Sequence, residues 1–182
     1  MAIDLSTLRQ SDYWKKKIRR VAEVRDANKD GYISRADYEL MLDRCKKLDI
    51  ATPHFIETCT SMVQRICYHL GLTDESVKLS YDEYEEKLLG VFMKERNVFE
   101  KTFREEFHSL DIDRDGFISF EEWIAHYKIF DIDTAHARAS FDAMDTNHDQ
   151  KISEDEFVEY NCEFYLSTEN KLNSAILFGP LE

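Results

Sequence analysis

A chain of 182 residues, 43% of them hydrophobic, carries enough apolar mass for one domain or two small ones sharing a core. Five glycines and two prolines are too few for the many tight turns of an all-β fold, so the composition points to an all-α chain of long helices. Twenty-four basic against 37 acidic residues leave a net charge of −13, which makes nucleic acid and anionic membranes poor partners and predicts that cations reside in the fold.

The chain begins Met1-Ala2-Ile3-Asp4, without the basic flank and apolar run of a signal peptide and without the glycine that N-myristoylation requires. No stretch approaches the ~20 apolar residues of a membrane span. Trp14, Ile18, Val21 and Arg25 recur at helical spacing, and the cations Lys15, Lys16, Lys17, Arg19 and Arg20 read as that helix's solvated face. Tyr38, Met41, Leu42 and Cys45 predict a second helix. Thr52 and Pro53 form an N-cap and first turn, and Gly71 a stop, for a third. Phe99, Phe103, Phe107 and Leu110 mark a further helix, followed by one bearing Trp123, Ile124, Tyr127 and Phe130. Thr134 is placed to cap a helix with Ala137, Phe141 and Met144, and Phe157, Tyr160 and Phe164 line the last. The tail Ile176-Leu177-Phe178-Gly179-Pro180-Leu181 is too apolar for a free end and is expected to pack back onto the body. Cys45, Cys59, Cys67 and Cys162 show neither zinc spacing nor CxxC, and Cys59 and Cys67 would lie about 12 Å apart on one helix. All four read as reduced thiols of a cytoplasmic protein, small buried hydrophobes rather than reactive groups.

Between these helices a tetrad recurs four times: Ser34 to Asp37, Ser80 to Glu83, Ser119 to Glu122 and Ser153 to Glu156. Each follows an aliphatic residue (Ile33, Leu79, Ile118, Ile152) and precedes an aromatic one (Tyr38, Tyr84, Trp123, Phe157). Alone, Ser-x-x-Asp/Glu is only a helix capping box. Upstream of three tetrads, however, stands a ladder of oxygen donors. Loop one offers Asp26, Asn28, Asp30, the Tyr32 carbonyl, Ser34 and Asp37. Loop three offers Asp111, Asp113, Asp115, the Phe117 carbonyl, Ser119 and Glu122. Loop four offers Asp145, Asn147, Asp149, the Lys151 carbonyl, Ser153 and Glu156. This is the 12-residue EF-hand calcium loop, in which alternate side chains at positions 1, 3 and 5 converge on a hard cation that wants oxygen. Position 7 adds a carbonyl, position 9 usually a water, and the acid at position 12 closes the sphere from the exiting helix. Loop two, Leu72-Thr73-Asp74-Glu75-Ser76-Val77 before Lys78, lacks a donor at position 1 and carries a β-branched residue at position 6, so it is expected to keep its shape but bind no metal. Asp37, one methylene shorter than glutamate, makes loop one the most Mg²⁺-tolerant; Gln150, in place of glycine, predicts strain in loop four.

Four such units with the second degenerate, together with Ser11-Asp12-Tyr13-Trp14, the run Ala139 to Asp145 and the ending Phe178-Gly179-Pro180-Leu181, resemble the invertebrate sarcoplasmic calcium-binding proteins. The run Gly31 to Leu40 and the register of the tail look especially like the luciferin-binding proteins of bioluminescent cnidarians. The resemblance implies four EF-hands in two pairs, residues 1–95 and 96–182, cupped as one compact unit around a shared apolar interior. It also implies short antiparallel bridges placing Ile33 with Leu79 and Ile118 with Ile152.

The first functional reading is a monomeric cytosolic Ca²⁺/Mg²⁺ buffer with three sites; three divalent ions would bring the formal charge from −13 to −7. The second is a calcium-dependent carrier of a small apolar ligand such as a luciferin, for which 12 Phe, 9 Tyr and 2 Trp supply lining if they do not simply fill the core. Photoproteins of the same superfamily end in proline and carry a histidine on the last helix, where this chain offers Tyr160 and Asn161. A sensor gripping targets through a Met-rich groove ranks third, since the methionines are few and scattered. Six scattered histidines (His54, His69, His108, His126, His136, His148), no phosphate-binding glycine loop and no nucleophile elbow predict no enzymatic role.

Overall fold

The computed structural model describes residues 5–94, 96–171, 173 and 176–181. The first four residues, the side chain of Phe99 and the boundary expected at residue 95 lie outside them. Helices α1 (Leu5–Gln10) and α2 (Asp12–Arg25) lead to strand β1 (Tyr32–Ser34) and α3 (Arg35–Lys46). Helix α4 (Pro53–Leu70), β2 (Lys78–Ser80) and α5 (Tyr81–Lys94) follow, then α6 (Arg96–Leu110), β3 (Phe117–Ile118) and α7 (Phe120–Ile129). Helix α8 (Ala137–Met144), β4 (Ile152–Ser153) and α9 (Glu154–Leu166) complete the order. Each strand thus sits inside a helix–loop–helix unit. The strands join the units in two antiparallel pairs, β1 with β2 and β3 with β4. Their register sets Ile33 opposite Leu79 and Ile118 opposite Ile152, as expected.

Local chemistry fixes most helix ends. Ser11 accepts the Trp14 amide at 3.1 Å. Thr52 accepts that of Phe55, with Pro53 in the first turn and Gly71 closing α4 at φ 74°. Ser34/Asp37, Ser119/Glu122 and Ser153/Glu156 are reciprocal capping boxes. Thr134 does not cap α8 as expected. It opens a short 3₁₀ turn capped by Asp133, whose carboxylate accepts the Ala135 amide, because an Asx side chain one residue earlier reaches that N–H first.

The core runs through both strand pairs, with Trp14, Ile18, Ile33, Trp123, Tyr127, Phe141, Phe157 and Phe164 buried. Helix α2 packs on α5 and α9, α6 on α9, and α3 on α4 and α7. Trp14 Nε1 donates to the Tyr165 carbonyl at 2.7 Å, which satisfies a buried donor and ties the second helix to the last. The tail folds back as expected: Leu177 and Phe178 are buried, and Phe178 packs against His126, Phe130 and Phe164. Burying such a side chain is worth about 1.5–3 kcal/mol. Arg20 holds the tail in place through two donations to the Phe178 carbonyl. Among the described residues no helix is long and apolar enough to cross a membrane.

The basic run on α2 is not a uniformly solvated face. Lys17 is fully buried, with Nζ 2.8 Å from the Ser167 carbonyl and 3.5 Å from that of Glu163, over the rings of Tyr13 and Phe164. Its ammonium sits at the C-terminal end of α9, where unpaired carbonyls and the helix dipole favour a cation. Burial pushes its pKa down to about 8, against the opposing pull of Glu163.

Candidate metal centre

The three donor-rich loops share one internal bonding scheme. In loop one both Asp26 oxygens accept amides, Oδ1 that of Asp30 at 3.1 Å and Oδ2 that of Gly31 at 2.8 Å. Asp111 does the same for Asp115 and Gly116, and Asp145 for Asp149 and Gln150. The donor at position 3 (Asn28, Asp113 or Asn147) also accepts the position-5 amide, and the position-5 aspartate accepts that of position 7. The position-12 carboxylate spans the loop, one oxygen on the amide of position 3 and the other on that of position 9. These amides curl the backbone around the carboxylates of each loop, and clustered acidic oxygens repel one another unless a cation enters. Position 1 is buried in all three loops, and Asp37 and Glu122 are buried at position 12.

The residues fit a hard cation. Every donor is a carboxylate, amide, hydroxyl or backbone oxygen, the set that Ca²⁺ and Mg²⁺ prefer. In loop three, oxygens of Asp111, Asp113 and Asp115 lie within 4.8 Å of one another. That is close enough to share an ion whose bonds run about 2.3–2.6 Å. Asp37, despite its shorter arm, still reaches both Asn28 N at 3.1 Å and Ser34 N at 2.8 Å. The Glu156 carboxylate is partly desolvated, but hydrogen bonds from Ser153, Thr146 and Asn147 outweigh burial and hold its pKa below the usual range.

Sharp turning occurs at two positions per loop. Position 6 has φ 85° at Gly31, 88° at Gly116 and 68° at Gln150, so the residue that replaces glycine sits in the left-handed region. Position 4 does so as well, with φ 60° at Lys29, 63° at Arg114 and 60° at His148. His148 is exposed, as the loop geometry predicts.

Loop two keeps two outer links of this net, position 3 to the position-5 amide and position 12 to the position-9 amide, but lacks the position-1 carboxylate at its centre. Leu72 occupies position 1 and is fully buried. Asp74 spends its carboxylate on the amide and hydroxyl of Ser76, an Asx turn, while Glu83 caps Ser80. The loop instead reaches across to loop one: Lys78 Nζ bonds Asp30 Oδ2, and Tyr81 donates to Asp26 Oδ2 at 2.8 Å. In the second pair Lys151 Nζ bonds Asp115 Oδ2 at 3.2 Å. These side-chain links went unread in the sequence, although a lysine two residues before the tetrad serine recurs in both even-numbered units.

A second feature was also missed. Arg25, Tyr38, Tyr84, Phe103, Glu106 and Tyr165 line part of a cavity of ≈140 Å³ between α2, α3, α4, α5, α6 and α9. Burial raises the Glu106 pKa, with Arg25 opposing it. The lining comes from six helices, and nothing local in the sequence signals their convergence.

Residues 100–160 match the EF-hand domain pair. This segment is an EF-hand pair, and its activity is calcium binding. The chain as a whole is similar to the luciferin-binding protein of Renilla reniformis, with 28% identity over 162 residues, 86% of this chain and 88% of that one. Among solved structures it resembles the coelenterazine-binding protein from Renilla muelleri in its calcium-loaded apo form. There the TM-score is 0.75 at 26% identity, covering 93% of this chain and 96% of that chain. A sarcoplasmic calcium-binding protein from amphioxus has the same fold, with a TM-score of 0.64 at 18% identity over 92% of this chain and 97% of that one. The fold around the EF-hand pair is thus common to proteins named for calcium and proteins named for a luciferin.

Proposed function

We propose that this protein binds three divalent cations, in loops one, three and four, and acts as a monomeric cytosolic Ca²⁺/Mg²⁺ buffer. Loop two serves as a metal-free partner. The ligands are Asp26, Asn28, Asp30, the Tyr32 carbonyl, Ser34 and Asp37, and their equivalents in the EF-hand pair. The observation that carries this reading is the position-1 aspartate that gathers the position-5 and position-6 amides in loops one, three and four and is replaced by buried Leu72 in loop two. The bound ion supplies charge that neutralises the clustered carboxylates; the chain's part is to hold those oxygens in place before the ion arrives. No catalytic role is assigned.

The cavity favours a second reading, a calcium-regulated carrier of a luciferin-type ligand, which is what the Renilla relatives are named for. Its polar groups, Arg25, Glu106 and three tyrosines, would orient such a ligand. Its volume argues for the buffer: ≈140 Å³ is under half the ~300 Å³ at the lower end of small-molecule pockets. Calcium titration in millimolar Mg²⁺, repeated with coelenterazine followed by absorbance after gel filtration, separates the two. Three bound ions and no retained chromophore support the buffer; a stoichiometric, calcium-sensitive chromophore would replace it with the carrier.

A further inference from the structure

The lysines that cross between loops form a repeated device. Lys78 is position 7 of loop two and Lys151 position 7 of loop four. Each passes the aromatic residue at position 7 of its partner loop, Lys78 with Nζ 5.8 Å from the Tyr32 ring centroid and Lys151 4.7 Å from that of Phe117. Each ends on Oδ2 of the partner's position-5 aspartate, Asp30 or Asp115. The other oxygen of each aspartate already accepts a backbone amide, from Tyr32 or Phe117. Each carboxylate therefore meets an incoming ion with an ammonium already on one of its oxygens, and that positive charge opposes the ion's approach. Loop four is built differently. Its Asp149 accepts the Lys151 amide, and position 7 of its partner is the aromatic Phe117, so among the described residues no ammonium reaches it.

We infer that Lys78 and Lys151 are resident counter-cations of loops one and three, delivered by the partner loop, and that they lower the divalent-ion affinity of those two loops relative to loop four. On this account loop two, which lost its own metal, remains the regulatory arm of loop one. The antiparallel bridge is what makes the delivery possible, since it sets Lys78 opposite Ser34 and beside the loop-one ligands. As stability elements these pairs count for little, because both lysines are about half exposed. Toward a divalent ion they matter more: one positive charge next to a ligand oxygen repels the ion by an amount on the order of tenfold in affinity, screened by salt.

The loop-one half rests on the proposal that loop one binds metal; the loop-three half rests on the EF-hand pair alone. The test uses the full chain with Lys78→Met, Lys151→Met and the charge-retaining Lys78→Arg. Both lysines are exposed enough for these variants to fold, and thermal midpoints in chelator check it. Calorimetric calcium titration at low salt should show loop one about tenfold tighter in Lys78→Met, with loop three within twofold of wild type. Lys151→Met should show the converse, and Lys78→Arg should match wild type. In chelator the two methionine variants should melt close to wild type, because half-exposed pairs contribute little to stability. Unchanged or weaker calcium binding in both methionine variants, with folded proteins, overturns the inference. A wild type that places no ion in loop one overturns the three-site reading and the loop-one half together, and Lys151→Met then decides the loop-three half.

Discussion

Loops two and four stand in equivalent places, each the second loop of its pair, and they part company in the first half of the loop. Both pair a short strand with the preceding loop, both close on a serine–glutamate cap, and both send a lysine across to the partner aspartate. Loop four has Asp145 at position 1, gathering the amides of Asp149 and Gln150; loop two has Leu72, turned into the core. The shape of the unit is therefore held by strand pairing, capping and apolar packing, while metal capacity depends on the carboxylate that organises the first half of the loop. Losing the second leaves the first intact.

The largest expected effect comes from making loop four resemble loop two. Asp145→Ala removes both acceptors for the position-5 and position-6 amides and a ligand. Calcium affinity at loop four should fall by more than the ~10–100-fold that loss of an outer partner costs. Far-ultraviolet circular dichroism should stay at the wild-type value, since β3 and β4 do not need the carboxylate. A collapse of helix content would mean that shape and metal capacity are not separable.

The pairs also differ in what they bury. His126 of α7 stacks on Trp123 at 4.7 Å and is almost fully buried. Burial, with help from the Arg25 charge, pushes its pKa from 6.5 down to about 3. Between those values the unfolded chain binds a proton that the native chain does not, so this histidine's contribution to stability falls as pH drops from 6.5 toward 3. Relative to its value at pH 7.5, the stability gap between His126→Phe and wild type should move in the variant's favour by about 2 kcal/mol at pH 5. Urea unfolding at the two pH values measures it; a gap independent of pH would show that His126 binds its proton equally well in the folded and unfolded chain.

Loop one differs from loop three mainly at position 12. Asp37→Glu should raise its Ca²⁺-over-Mg²⁺ selectivity about tenfold, because the longer arm can give both oxygens to the larger ion. Competition calorimetry checks this, and unchanged selectivity would assign the preference elsewhere. A smaller effect is expected at Gln150, whose φ of 68° costs about 1–2 kcal/mol in the filled loop. Gln150→Gly relieves that strain but loosens the empty loop by about 0.5–1 kcal/mol, for a net few-fold gain in affinity. Weaker binding by the variant would mean that the glutamine side chain contributes a contact.

The loops were legible because their chemistry is local: donor spacing within 12 residues fixes which oxygens can meet, and the aliphatic residue before each serine announces the strand. The strand register, Ile33 with Leu79 and Ile118 with Ile152, was what the family resemblance implied. Lys17 was misread for a physical reason. It lies three residues after Trp14 and four before Val21, on the apolar stripe of α2, but its charge suggested solvent; the carbonyls at the end of α9 that accept it lie some 150 residues away. The cap at Asp133 was missed by one residue because Thr134 offers a similar oxygen. The cavity and the crossing lysines need tertiary placement, the first from six helices and the second from the pairing of two strands, and neither leaves a periodic signal.

The central claim is that three loops hold metal and the second holds none. Native mass spectrometry of the full chain, titrated with calcium and repeated on Glu83→Gln, counts the ions directly. The account predicts saturation at three for both proteins. Saturation at two, or a fourth ion that disappears in Glu83→Gln, would contradict it.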